Sequence, residues 1–223
     1  NIYLSHFDRQ AYESRGKNIR FWNGLFQGAL WIQFLYSILL FFIVREWREL
    51  YYAVLILGMQ LFFMAMQGYD LTLRQWLPTY PEWWHPLLNL GSFVAIFGLL
   101  KFSQQFLRLR KNMPGARTII NGYLLGLALC SLLVEFLPGI WTVQLWRLVT
   151  GAGILMPLVL GGFVRLKGYR PAGIFLIAVT IFAVSAFAHL FSFILFPNGL
   201  GGEFTYVFFK IGVVTMLALM ALG

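Results

Sequence analysis

The chain has 223 residues, of which 60% are hydrophobic and only 11% are charged, and its mean hydropathy is +0.74. A soluble domain usually has about 25% charged residues. Such a small number of charges cannot cover a water-facing surface. The composition therefore excludes an ordinary soluble domain and indicates a membrane protein.

The net charge of +9 comes from 17 basic residues, which form short clusters between apolar runs. Nucleic-acid binding needs a continuous basic patch, so we expect no nucleic-acid partner. Cys130 is the single cysteine, which excludes an intramolecular disulfide and a cysteine zinc site. The sequence also offers no other metal or cofactor motif, and we expect neither.

Seven apolar runs are long enough to cross a bilayer core, which takes about 20 helical residues. In chain order they lie at about 22–44, 50–69, 84–107, 118–137, 143–164, 171–196 and 204–223. Short segments containing proline or glycine end several of the runs. We therefore predict an all-α bundle of seven transmembrane helices over residues 21–223, preceded by a polar connecting segment at 1–20.

Basic residues in the connections predict the orientation, because positively charged loops stay in the cytoplasm. The turns after the first, third and fifth runs carry nine of them: Arg45, Arg48, Arg108, Arg110, Lys111, Arg117, Arg165, Lys167 and Arg170. The turns after the second, fourth and sixth runs carry Arg74 and Arg147. This bias places the N-terminus outside and the C-terminus in the cytoplasm.

Polar side chains inside apolar runs are costly in lipid, which makes them candidate functional residues. Most of those in this chain lie toward the predicted outer ends of the runs. We predict that an outward-facing ligand cavity is lined by Gln67, Asn89, Glu135, Arg147, His189 and Lys210. Structural pairing of the same residues between helices is the alternative, and the sequence leaves both open.

Gly24 and Gly28 form a G-x-x-x-G pattern in the first run. This spacing lets two helix backbones approach closely. We expect that contact inside the bundle, with a seam between two copies of the chain as the alternative.

Other chemistries find less support. Lys210 suggests a retinal Schiff base, but the third run offers no carboxylate within the membrane as a counter-ion. Ser185 and His189 are four residues apart without a surrounding G-x-S-x-G, and neither H-E-x-x-H nor a phosphate loop occurs. We therefore expect no enzymatic activity in this chain.

A small-solute or lipid transporter is the alternative function, although Pro157 as a helix break has no counterpart in the other half. A scaffold subunit of a larger complex is a third.

Several features along the chain carry a family resemblance. In order, they are Gly24 and Gly28, Tyr36, the turn REWREL, Tyr51 and Tyr52, Gly68, Leu77-Pro78, the segment FSQQFLRLRKNMP and the final KIGVVTMLALMALG. Their order resembles the bacterial seven-transmembrane receptors with diverse intracellular signalling modules. Lys210 stands where that family usually has glutamine, and Met216 where an acidic residue is common.

The resemblance implies a multi-pass receptor in the bacterial inner membrane, in contact with lipid and with an extracytoplasmic ligand. It further implies an extracytoplasmic domain before the first helix and a cytoplasmic output module after the seventh, of the kinase or nucleotide cyclase type. Because many such outputs work as dimers, it also implies a homodimer.

The predicted topology can be tested directly. A fluorescent reporter fused after Gly223 is expected to fold in the cytoplasm, and protease added outside the cell is expected to leave the segment after Lys210 intact. Cleavage of that segment from outside would contradict the receptor hypothesis and reopen the retinal and transporter alternatives.

Overall fold

The computed structural model describes residues 2–66, 86–133, 140–195 and 200–222, and within these the chain is almost entirely helical. The described helices, numbered here in chain order, are α1 (Ile2–Val44), α2 (Trp47–Met66), α3 (Pro86–Phe106), α4 (Leu109–Asn112), α5 (Pro114–Leu133), α6 (Ile140–Leu166), α7 (Ala172–Leu195) and α8 (Leu200–Leu222). The described part contains no strand, so the predicted all-α class is confirmed.

Six of the described helices contain a stretch long and apolar enough to cross a membrane, and α8 adds the shorter apolar stretch Thr205–Ala221. The predicted seven-helix bundle is therefore confirmed, while its orientation stays a prediction. The polar segment at 1–20 is helical from Ile2 and runs without a break into the first span, so that α1 has 43 residues. The helix α6 continues through Pro157, so this proline does not break the helix.

Three turns lie at the same end of the bundle, and each contains one residue with left-handed backbone. They are Arg45 (φ 57°) between α1 and α2, Arg108 (φ 48°) between α3 and α4, and Gly168 (φ 90°) between α6 and α7. A left-handed residue ends a helix and turns the chain away from its axis, and glycine is the usual choice because it has no Cβ. We call this end of the helices the basic end, because the nine basic residues named above lie there.

The backbones of α2 and α3 are in direct contact, and this is the most extensive helix pair of the described structure. A Cβ atom added at Gly58 would lie 2.1 Å from the backbone nitrogen of Ala95, and one at Gly98 would lie 2.4 Å from that of Leu55. Gly91 likewise leaves no room against Phe62. These three glycines therefore allow an approach that any side chain would prevent.

The G-x-x-x-G of α1 makes no such close contact with a neighbouring described helix. Among the described residues, nothing lies within 4 Å of a Cβ atom built at Gly24 or Gly28. The expectation of a close contact inside the bundle is therefore wrong for this pair, because α1 is the least buried of the candidate spans and turns these glycines away from its neighbours. A seam between two copies is the alternative that this leaves open.

The two kinds of glycine predict opposite effects of alanine. Gly58→Ala is expected to lower the free energy of unfolding by about 1–3 kcal/mol, because the new methyl group would force α2 and α3 apart. Gly28→Ala is expected to leave it unchanged or raise it by about 0.5–1 kcal/mol, since alanine is the better helix former. Thermal unfolding in detergent measures both, and an equal loss in the two variants would contradict the assigned contact.

Candidate functional site

Lys210 lies near the middle of α8, where its ammonium group contacts only neutral partners among the described residues. It donates a hydrogen bond to the side-chain carbonyl of Asn23 on α1. Its Nζ atom also lies 4.2 Å from the ring centroid of Tyr206 and 5.3 Å from that of Phe26. The aromatic faces and the amide stabilise the charge, and together they join α8 to α1.

His189 reaches the same place from α7. Its Nδ1 atom lies 3.4 Å from the hydroxyl of Thr205, and its ring stacks on Phe209 with 5.5 Å between centroids. The His189 ring also contacts Tyr206, at 5.7 Å between centroids. Tyr206 therefore touches both His189 and Lys210, two of the six residues predicted for a ligand cavity. We call Asn23, His189, Thr205, Tyr206 and Lys210 the Lys210 cluster.

The other four predicted residues are not placed in this cluster. Gln67 and Glu135 lie outside the described residues, and for Arg147 only the backbone within α6 is described. Asn89 lies in the first turn of α3, partly buried, and no described hydrogen bond joins it to the Lys210 cluster. The cavity of six residues stays a prediction, of which His189 and Lys210 are the part that the described structure brings together.

Two buried amides that are not among the predicted site residues lie close to this level. Gln27 on α1 is 9% exposed and Gln60 on α2 is 2% exposed. Both amide atoms of Gln27, and the carbonyl oxygen of Gln60, have no hydrogen-bond partner within the described structure. An unsatisfied buried polar group costs about 1–3 kcal/mol, so such groups mark a place where water or a ligand is expected.

The depth of the two amides follows from the pairing of the helices. The antiparallel pair α1 and α2 is fixed by two contacts: the rings of Phe26 and Phe63, 4.8 Å apart, and a hydrogen bond of 2.6 Å from Gln33 to Tyr52. Along the two helices, Gln27 and Gln60 both fall between these contacts, one residue after Phe26 and three residues before Phe63. Since Phe26 also contacts Lys210, the amides lie on the side of the Lys210 cluster that is nearer the basic end.

A second polar attachment holds α8 nearer the basic end. The hydroxyl of Tyr52, which is 4% exposed, donates a hydrogen bond of 2.6 Å to the backbone carbonyl of Leu217 and accepts the one from Gln33. One hydroxyl thus joins α1, α2 and α8. Leu217 follows Lys210 by seven residues, about 10 Å along the helix, so α8 is attached to α1 and α2 at two depths.

Beside the contact between His189 and Thr205, α8 and α7 are held together by close packing at Gly212. A Cβ atom at Gly212 would lie 2.0 Å from the hydroxyl of Ser185, so the two helices are closely packed there. Ser185 donates its own hydrogen bond to the carbonyl of Phe182 within α7. Ser185 therefore serves packing and local hydrogen bonding, as the absence of a surrounding G-x-S-x-G indicates.

Comparison with known proteins gives one result. A family model described as 7TM diverse intracellular signalling matches residues 19–223. Neither a curated protein nor a solved structure matches the chain significantly. The match covers every residue placed in the Lys210 cluster and both residues of the Tyr52–Leu217 attachment.

The Lys210–Asn23 hydrogen bond predicts coupling between two substitutions. In a double-mutant cycle of Lys210→Met and Asn23→Ala, we expect a coupling free energy of about 0.5–2 kcal/mol, the range for polar contacts between membrane helices. Thermal unfolding of the four proteins measures it. The control cycle pairs Lys210→Met with Thr180→Ala on the exposed face of α7, where the effects should simply add. Additivity in both cycles would contradict the contact.

Proposed function

Since the chain belongs to the 7TM diverse intracellular signalling family, a family of receptor rather than catalytic domains, we propose that the bundle relays an external signal through α8 to a C-terminal output module. The membrane would be the bacterial inner membrane, with the Lys210 cluster toward the outside. The output would be of the kinase or nucleotide cyclase type, as in the receptors that the sequence resembles.

The two-point attachment of α8 is the observation that carries this proposal. At one point a charged side chain, Lys210, is held by a single hydrogen bond and aromatic faces. At the other point the buried hydroxyl of Tyr52 holds the carbonyl of Leu217. A signal that releases the first point and leaves the second intact would let α8 tilt about Leu217. That tilt would displace the end of α8 that leads to the output module.

The chemistry of the Lys210 cluster indicates what kind of signal would do this. The carboxylates whose side chains the structure describes, Glu46 and Glu49, both lie at the basic end, so neither of them neutralises Lys210. An anionic group, such as a carboxylate of a ligand or of an upstream domain, would compete with Asn23 for the ammonium. The unsatisfied amides of Gln27 and Gln60 would supply further hydrogen bonds to it.

The energies are of the right size for a switch. A polar contact between membrane helices contributes about 0.6–2 kcal/mol, which corresponds to a change of about 3-fold to 30-fold in the ratio of two conformations. Loss of the Lys210–Asn23 contact would therefore shift the population of α8 positions substantially without unfolding the bundle.

Distance measurements between spin labels test the proposal. In the full chain carrying Cys130→Ala, labels at Val44 and Ala221, both exposed at the basic end, report the position of the end of α8 relative to α1. Lys210→Met is expected to shift or broaden the distance distribution, because it frees α8 from Asn23. Val207→Met, an exposed position one turn earlier on α8, is the control and should leave it unchanged. Identical distributions in all three proteins would show that Lys210 does not control α8.

A further inference from the structure

A pocket of about 510 Å³ opens at the basic end, on the opposite side of the Tyr52 attachment from the Lys210 cluster. Three turns and the helix ends beside them line it. They are residues 45–48 at the junction of α1 and α2, Gln105 and Phe106 at the end of α3 with Arg108 after it, and Tyr169 with Pro171 before α7. The hydroxyl of Tyr169 lies 3.3 Å from the carbonyl oxygen of Phe106, which joins two of these turns. The pocket is therefore a built feature shared by turns that are distant in sequence.

The charges of the pocket are not balanced. Of its three arginines, Arg48 is paired, at 3.0 Å from Glu49 and 3.8 Å from Glu46. Arg45 and Arg108 have no ion-pair partner among the described side chains. Two guanidinium groups thus remain available to an anion, and each presents several N–H donors in a planar fork that matches the oxygens of a phosphate group.

Both of these arginines have left-handed backbone, which costs a residue with a Cβ atom about 1–2 kcal/mol. The third turn of the basic end meets the same backbone requirement with Gly168. Glycine at positions 45 and 108 would form the same turns without this cost. The arginine side chains therefore have a role that the turns alone do not require.

The rim of the pocket places it at the surface of a bilayer. Trp47 is 60% exposed and packs beside Phe41 at the end of α1, next to the exposed apolar residues Phe42, Ile43 and Val44. Exposed tryptophan beside an apolar helix end is typical of the membrane–water interface. A ligand in the pocket would thus have its charge among the arginines and apolar chains alongside α1.

We propose that this pocket binds the phosphate of an anionic phospholipid headgroup, with Arg45 and Arg108 as its ligands. Basic pockets between membrane helices commonly take such headgroups. A lipid held here would contact the turns of three helix pairs at once and would hold the end of the bundle from which α8 emerges. The proposal does not depend on the signalling role of the Lys210 cluster.

The test uses the full chain in detergent, with phosphatidylglycerol or phosphatidylcholine added. Retained lipid is counted by native mass spectrometry, and the thermal unfolding midpoint is measured in parallel. The wild type is expected to retain phosphatidylglycerol and to unfold at a higher temperature in its presence. The double variant Arg45→Gly, Arg108→Gly is expected to bind it at least about 10-fold more weakly, since a hydrogen bond to a charged group contributes about a factor of 10 or more.

Glycine makes the variant informative, because it adopts the left-handed backbone without strain. The variant should therefore unfold at the same or a higher temperature than the wild type in phosphatidylcholine. Arg117→Gln removes an exposed basic residue of the same end outside the pocket, and it should bind phosphatidylglycerol like the wild type. Equal retention by the wild type and the glycine variant, or an equal loss in Arg117→Gln, would overturn the proposal.

Two further measurements complete the test. Inorganic phosphate is expected to raise the unfolding temperature much less than phosphatidylglycerol; an equal rise, lost in the glycine variant, would show that the pocket takes soluble phosphate and that the lipid source is wrong. Arg45→Lys with Arg108→Lys keeps both charges without the planar fork, and weaker phosphatidylglycerol binding than in the wild type is expected. Should the glycine variant fail to fold, wild-type binding in this lysine variant would overturn the assigned ligands.

Discussion

Direct contact between the backbones of α2 and α3 is the constraint on which the rest of the bundle depends. In lipid, apolar helices gain little from leaving their surroundings, so close packing has to hold them together. Gly58, Gly91 and Gly98 allow that packing because each would otherwise place a Cβ atom inside the neighbouring helix. The resulting pair leaves another side of α2 free to present Tyr52 and Phe63 to α1 and α8.

Against this fixed pair, α8 is held by groups of different kinds. Its contact with α7 combines a close approach at Gly212 with the contact between His189 and Thr205, whereas its contacts with α1 and α2 include hydrogen bonds from Lys210 and to Leu217. Close packing resists separation at every point, while a hydrogen bond can be exchanged for another of similar energy. The polar side of α8 is therefore the side on which a small change of chemistry is able to alter its position.

The fold could be predicted from sequence because an apolar run of about 20 residues is enough to define a membrane helix. Lys210 and His189 could be predicted as site residues because ionisable side chains stand out in such runs. Asn23 and Gln27 were missed, since uncharged amides near the start of an apolar run attract little notice, although their spacing of four places them on one face. The G-x-x-x-G of α1 was misleading because glycine spacing defines a face but not its neighbour. The left-handed backbone of Arg45 and Arg108 could not be predicted either, because it depends on the geometry of the turn and not on the residue type.

The length of α1 has a mechanical consequence. Its 43 residues extend about 65 Å at 1.5 Å per residue, roughly twice the thickness of a bilayer core. Asn23 lies halfway along this rod, at the level where it enters the bundle. A torque applied to the N-terminal half would therefore rotate Asn23 against Lys210 without any small molecule entering the membrane. In that case α1 would transmit a rotation from outside the bundle to α8.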